Sequence, residues 1–320
     1  MDIVLEFERP IVEMQKRIAQ LRNLEGASDV NLSTSIQQLE AQCVKLQERI
    51  YSKISPWQRA MVARHPERPY MFDYVDKICS EWEQIHGDRA GHDDAALVTG
   101  IGRIDGQACV LLGHQKGRNT KENIKRNFGM ARPEGYRKAL RVMELANKFK
   151  MPIITFIDTP GAYPGIDAEE RGQAEAIARN IMEMARFDVP IIAVVIGEGG
   201  SGGALAVGVA NRVLILENSV YSVISPEGCA AILWRDRAEG EKAAAALRIT
   251  ADDCLEFGVV DEVVKEPLGC AHRNREETIE LVQAAIRRHL KELNAMSPED
   301  IKNDRYTRFR AIGAFASDSQ

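Results

Sequence analysis

Residues 196–208 read IGEGGSGGALAVG, and three catalytic patterns overlap in them. Gly197, Gly199 and Gly202 spell G-x-G-x-x-G, the turn that takes a dinucleotide pyrophosphate at a helix start. Gly199, Ser201 and Gly203 spell G-x-S-x-G, which sets a serine hydroxyl on a sharp strand-to-helix turn as a nucleophile. Gly202-Gly203 alone offers a third chemistry. Two adjacent backbone N–H groups without a Cβ, at the positive end of a short helix, can hold a developing oxyanion.

The residues around this stretch weigh differently on each reading. For the dinucleotide, Glu217 ends the following strand at the distance of a ribose-binding carboxylate, and a stand-alone NAD-linked oxidoreductase would follow. Against it, the intervening helix is short and the motif lies deep in the chain. For a hydrolase, Ser201, Asp261 and His272 supply a triad in chain order, but nothing in GCAHRN marks His272 as more than a loop histidine. The donor pair asks least of the side chains. A second cluster, HQKGRNTKENIKRNFG, gathers Lys116, Arg118, Lys121, Lys125 and Arg126. Such a loop suits the phosphates of a small ligand or a carboxylate, and equally a solvated face. Asp158 and Glu198 both fall at strand ends, where an acid/base pair can form. Asp158 also precedes Thr-Pro-Gly, the setting of an Asx turn.

These residues need a scaffold of strands that end in loops. PIITFID and PIIAVVIG are apolar runs of buried-strand type, each preceded by a helix and followed by a glycine-rich loop. FKMPIITFIDTPGA and FDVPIIAVVIGEGG share F-x-x-P-I-I, and Pro152 and Pro190 stand 38 residues apart (190 − 152). A repeat of that length is one supersecondary unit stacked on its neighbour. Open α/β sheets place ligands at the carboxyl ends of such strands. Upstream, Asp105-Gly106 between two β-rich runs predicts a hairpin. Near the start, Ile11, Met14, Ile18, Leu21 and Leu24, then Ile36, Leu39, Cys43, Leu46 and Ile50, recur at helical spacing on either side of EGASD. That predicts a helical hairpin whose apolar stripe is too narrow to be a core. REETIELVQAAIRRHLKELNAM predicts a further amphipathic helix, and a polar tail follows it.

Bulk properties exclude several classes. The 320 residues carry a net charge of −5, which makes duplex nucleic acid a poor partner. No apolar run reaches membrane-spanning length, and MDIVLEFERP lacks the features of a secretion signal, so a cytoplasmic protein is expected. Six cysteines are scattered without C-x-x-C pairs, so neither a zinc knuckle nor a disulfide scaffold is expected.

GHQKGRNTKENIKRNFGMARPEGYRKALRVM, FIDTPGAYPGIDAEERGQAEAIARN, IGEGGSGGALAVG and YSVISPEGCAAILW together resemble the carboxyltransferase α subunits of bacterial acetyl-CoA carboxylase. The resemblance runs from LEFERPIVEM to RYTRFRAIG, with one departure at Cys270, where a glycine is expected. It implies an α/β crotonase-like fold of stacked ββα units behind a helical arm. The divisions it implies are an arm over 1–38, a core of the C-terminal carboxyltransferase type over 39–294 and a polar tail over 295–320. It implies transfer of a carboxyl group from carboxybiotin, borne on the biotin carboxyl carrier protein, to acetyl-CoA. Malonyl-CoA results, the committing step of fatty acid synthesis. It implies a zinc-containing β subunit completing the site in an α2β2 assembly, a biotin carboxylase partner, and no metal in this chain. By the same resemblance, the N–H groups of Gly202 and Gly203 hold the ureido oxygen of biotin, and the β subunit holds the thioester. Gly161 and Tyr163, in TPGAYPG, form the adjoining wall. Lys116, Arg118 and Arg126 are candidates for the CoA phosphates or the biotin carboxylate. The released biotin anion can take the methyl proton, so no protein base is required.

Overall fold

The two related runs become neighbouring parallel strands at the centre of one sheet. The computed structural model describes residues 3–27 and 32–313. Its strands are β1 (Ser80–Gln84), β2 (Leu97–Ile104), β3 (Gln107–His114), β4 (Ile153–Thr159), β5 (Ile191–Gly200), β6 (Arg212–Leu216), β7 (Val220–Ser222) and β8 (Glu262–Val264). They line up as β1-β2-β3-β4-β5-β6-β8, with β7 joined to the far end of β5. Ile153 pairs with Ile191 and Ile154 with Ile192, so the spacing of the sequence repeat is the register of the sheet. Every residue of β4 is buried, because helices cover both faces of a parallel sheet. Each such aliphatic side chain contributes about 1.5–3 kcal/mol by leaving water.

Asp105 and Gly106 make the predicted turn, both at positive φ, as a two-residue hairpin between β2 and β3 requires. One sheet face packs on the helices Pro133–Phe149 and Gln173–Arg186 through Tyr136, Val142, Met143 and Met184. The other packs on Met71–Ile78 and Arg275–Leu293 through Tyr74, Val75, Val282 and Ile286. The helices sit on the faces, so the carboxyl ends of β4, β5 and β7 carry the loops that build the site.

The predicted arm is a hairpin of Arg9–Ala27 and Ser33–Tyr51 that closes on Ile11, Ile18, Ile36 and Cys43. A boundary at 38 would cut its second helix. The Ser-Asp part of EGASD lies outside the described residues. The arm is fastened to the core through Glu8, whose carboxylate accepts from Tyr51 Oη at 2.5 Å, His272 Nε2 at 2.8 Å and Arg273 Nη2 at 3.2 Å.

The expected polar tail is, as far as residue 313, part of the body. Ser297 caps the helix Pro298–Arg310, and Ile301 and Arg305 on it are buried. The Arg305 guanidinium donates to the carbonyls of Met184, Phe187 and Val189 and to Asn211 Oδ1. Burial brings its pKa down to about 10. A helix held largely by polar and ionic contacts of Asp304, Arg305 and Arg308 shows no apolar stripe, so the sequence pattern missed it. Residues 314–320 lie outside the described chain.

Candidate active-site cleft

Three loops meet at the carboxyl ends of β4, β5 and β7 around a cleft of about 500 Å³. Pro160 to Pro164 form one wall, Ser201 and Gly202 a second, and Val223 to Ser225 a third. Sequence reasoning placed Gly161, Tyr163 and Gly202 together, and all three line this cleft. Gly203 is buried next to Gly202, and a Cβ there would run into the Gly161–Ala162 peptide.

The glycine-rich stretch turns from β5 into a helix of five residues, Ser201–Leu205. Ser201 takes a left-handed φ of 50° at the corner and is exposed. The Gly202 and Gly203 amides open that helix, and neither finds a hydrogen-bond acceptor among the described residues. A Cβ on Gly202 would meet only Ile177, at 3.6 Å, so there is open space at Gly202.

The 159–165 loop is shaped by Thr159. Its Oγ1 accepts the Gly161 N–H at 3.1 Å and donates to the Gly161 carbonyl at 2.7 Å. The Asx turn expected of Asp158 is therefore a threonine turn. Tyr163 donates its N–H to the Ala131 carbonyl, while Gln173 Nε2 donates to the carbonyls of Ala131 and Tyr163 at 3.0 and 2.9 Å. Arg132 lies 4.5 Å above the Tyr163 ring and pairs with Asp167 at 2.6 Å. Sequence reasoning missed Gln173 and Arg132. Arg132 is the extended residue before the helix Pro133–Phe149 and Gln173 the first residue of the helix Gln173–Arg186, and only the fold brings them to the wall.

Lys116 lies between the carboxylates of Asp158 on β4 and Glu198 on β5. Its Nζ is 2.7 Å from Asp158 Oδ1 and 3.3 Å from Glu198 Oε2. Burial opposes its charge, but those two carboxylates outweigh burial and raise its pKa. Burial likewise opposes charge on Glu198, and Lys116 and Arg64 overcome it, so the carboxyl is held below its ordinary range. An ion-paired Glu198 serves poorly as a general acid, which removes the acid/base pairing with Asp158. Arg118 pairs with Asp73, donates to the carbonyls of Pro66 and Arg68, and lies 3.9 Å over Tyr70. Arg126 pairs with Glu122 at 3.2 Å and donates to the Ala95 carbonyl at 2.9 Å. The three basic residues are thus gathered on one side of the sheet end, each with protein partners.

The rival patterns come apart. Asp261 is bound to Arg308 and His272 to Glu8, so neither serves Ser201. Glu217 is held by Lys265, and the helix after the glycine turn is a single turn and a half. Gly197 and Gly199, two of the three fingerprint glycines, make room for Asp158 and for the Tyr221 ring instead of a pyrophosphate. Among the described residues no cluster of three or more histidine, cysteine or acidic side chains is placed to hold a metal ion. Nor is any helix there long and apolar enough to cross a membrane.

Comparison with known proteins bears on the same cleft. The family described as acetyl co-enzyme A carboxylase carboxyltransferase-like matches residues 4–313. The acetyl-coenzyme A carboxylase carboxyl transferase subunit alpha of Synechococcus elongatus is 56% identical over 317 residues, covering 99% of this chain and 97% of that one. The protein of the same name from Geobacter metallireducens is 55% identical over 312 residues, covering 98% of each. Among solved structures, a Pseudomonas malonate decarboxylase hetero-tetramer in complex with coenzyme A aligns at a TM-score of 0.56 and 18% identity, over 68% of this chain and 88% of that one. The transcarboxylase 12S aligns at 0.53 and 21% identity, over 68% of this chain and 41% of that one. At such identities the likeness is one of fold, the crotonase-like arrangement. An oxidoreductase finds no support in any of these relatives.

Proposed function

The chain belongs to the family of acetyl-CoA carboxylase carboxyltransferase alpha subunits, and from that premise we propose how its cleft works. It is a carboxyltransferase that acts on acetyl-CoA to give malonyl-CoA, the first committed step of fatty acid synthesis. The carboxyl donor is carboxybiotin on its carrier protein. A zinc-containing beta subunit supplies the thioester half of the site in an α2β2 assembly, with biotin carboxylase as a further cytoplasmic partner.

The cleft fits the ureido ring of biotin on two counts. Its volume of about 500 Å³ accepts a bicyclic ring, and Gly202 in its lining carries an amide with no acceptor of its own, the likewise unpaired Gly203 amide following it in the helix. When bound, carboxybiotin supplies the carboxyl group, the N–C bond breaking as a C–C bond forms to the acetyl methyl carbon, whose proton passes to the ureido nitrogen. The chain's part is to favour that departure. Gly202 and Gly203 donate their N–H groups to the ureido oxygen as negative charge collects there. Held rigidly in a dry site, one such donor is worth about 3 kcal/mol of barrier. Gly161 and Tyr163 form the facing wall, fixed by Gln173 and Arg132, and exclude water from the ring. No side chain of this cleft is asked to take a proton. A phosphate contact by Arg118 or Arg126 requires it to leave Asp73 or Glu122.

The observation that carries the reading is the pair of unpaired amides that opens the short helix at one wall of the cleft. Reconstitution tests it. Malonyl-CoA should form from carboxylated biotin and acetyl-CoA when the zinc-containing partner chain is added, and not from this chain alone. Robust transfer by the isolated chain would overturn the shared site.

A further inference from the structure

Asp158 faces the place where β4 and β5 lose register. Ile157 pairs with Val195, and the next pair is Thr159 with Gly199. β5 therefore uses four residues where β4 uses two, a bulge over 196–198 immediately before the glycine turn. Bulges bend a strand and re-aim the residues beyond them, and they recur beside active sites. Asp158 fills this one. Its Oδ1 accepts the Glu198 N–H at 3.0 Å and the Lys116 ammonium at 2.7 Å. A Cβ on Gly197 would fall 2.3 Å from the same oxygen, so the carboxylate lies against the bulged backbone itself.

Lys116 continues the clamp. Its Nζ reaches Glu198 Oε2, while Arg64 Nε takes Glu198 Oε1 at 2.6 Å and Arg64 Nη1 takes Glu227 Oε1 at 2.5 Å. Asp158, Glu198 and Glu227 stand at the roots of the three loops that wall the cleft. The side chains of Lys116, Asp158 and Glu198 are 12%, 3% and 11% exposed. Removing one member of such a buried set leaves its partners as uncompensated charges. Without Lys116 the Asp158 and Glu198 carboxylates repel each other across the bulge.

We propose that Lys116 is a positioning residue for carboxyl transfer. Its ammonium, locked between Asp158 and Glu198, holds the β5 bulge so that the Gly202 and Gly203 amides keep their aim, and it touches no substrate. This rests on the reading of those amides given above.

The test compares Lys116→Met with the double variant Lys116→Met/Asp158→Asn, each assembled with the partner subunit. Lys116→Met should lower kcat tenfold or more with the KM for acetyl-CoA within twofold. Hydrogen–deuterium exchange of residues 196–206 should quicken alongside. The double variant should regain part of both, because an amide at 158 still accepts the Glu198 N–H and the surplus charge is gone. If Lys116→Met does not fold, the double variant is compared with the unsubstituted protein and should show a lowered kcat at unaltered KM. A raised KM at unchanged kcat would make Lys116 a substrate ligand and overturn the proposal. So would unaltered exchange in Lys116→Met, or a double variant as impaired as the single one. If the unsubstituted assembly makes no malonyl-CoA, the amide reading fails, while the exchange comparison still decides whether Lys116 holds the bulge.

Discussion

A Cβ on Gly203 would lie 2.6 Å from the carbonyl carbon of Gly161 and 2.7 Å from the Ala162 nitrogen. The two glycine-rich loops therefore touch backbone to backbone, and the cleft owes its width to that contact. Gly203→Ala must push the 159–165 loop away, at about 1–3 kcal/mol of stability. It should lower Tm and cut kcat roughly 100-fold through misaimed donors. Gly202→Ala meets only Ile177, so its Tm should hold, while the methyl group stands in the cleft and raises KM for the carboxyl donor. Thermal melts and malonyl-CoA formation with the partner present read both. A Gly203→Ala enzyme that melts and turns over normally would remove the contact's importance.

The loop contact explains what could be read in advance and what could not. The 38-residue repeat, the Asp105-Gly106 hairpin and the glycine turn follow from local pattern, since buried strands and tight turns restrict residue type at each position. Lys116 could not be read that way. In sequence it belongs to a basic cluster, and only the bulge opposite Asp158 turns it inward. Gln173 and Arg132 escaped for the same reason, their partners being 42 and 35 residues away. Burial that depends on a distant carboxylate or carbonyl leaves no periodic trace.

Cys270 carries a φ of 68° and is buried, at the place where the resemblance led us to expect glycine. An L-residue pays about 1–2 kcal/mol for this conformation. Cys270→Ala and Cys270→Gly both lose the buried thiol, but only glycine sheds the strain. Allowing for the extra freedom of glycine in the unfolded chain, Cys270→Gly should be the more stable of the two by about 1 kcal/mol. Denaturant unfolding of the two variants orders them, and the reverse order would contradict the strain.

The arm should loosen in acid. Burial alone would raise the Glu8 carboxyl, but hydrogen bonds from His272 and Tyr51 and the nearby charges of His272 and Arg273 bring it down from 4.5 to about 2. A carboxyl depressed in the folded state adds stability above its unfolded value and loses it as pH falls through the folded one. The contribution is complete above about pH 4.5 and declines towards pH 2. Glu8→Gln should be less stable than the unsubstituted protein at pH 6 and approach it by pH 2.5. Melts at the two pH values check the sign, and a gap that stays constant would show that Glu8 does not carry it.

The helix that the sequence offered only as a tail should be indispensable. Arg305 is 1% exposed and satisfies three carbonyls at the end of the helix Gln173–Arg186 and its exit, together with Asn211 Oδ1. Arg305→Met keeps much of the apolar stem but leaves the three carbonyls buried without their guanidinium donor, each costing about 1–3 kcal/mol. The loss should therefore reach about 3 kcal/mol or more in urea unfolding. Asn211 also accepts the Ile191 N–H at the entry to β5, so the damage should spread to the strand that carries the glycine turn. Lys302→Ala on the exposed face of the same helix should change stability by no more than about 0.5 kcal/mol. Equal effects at the two positions would mean that the helix is held by something other than its buried guanidinium.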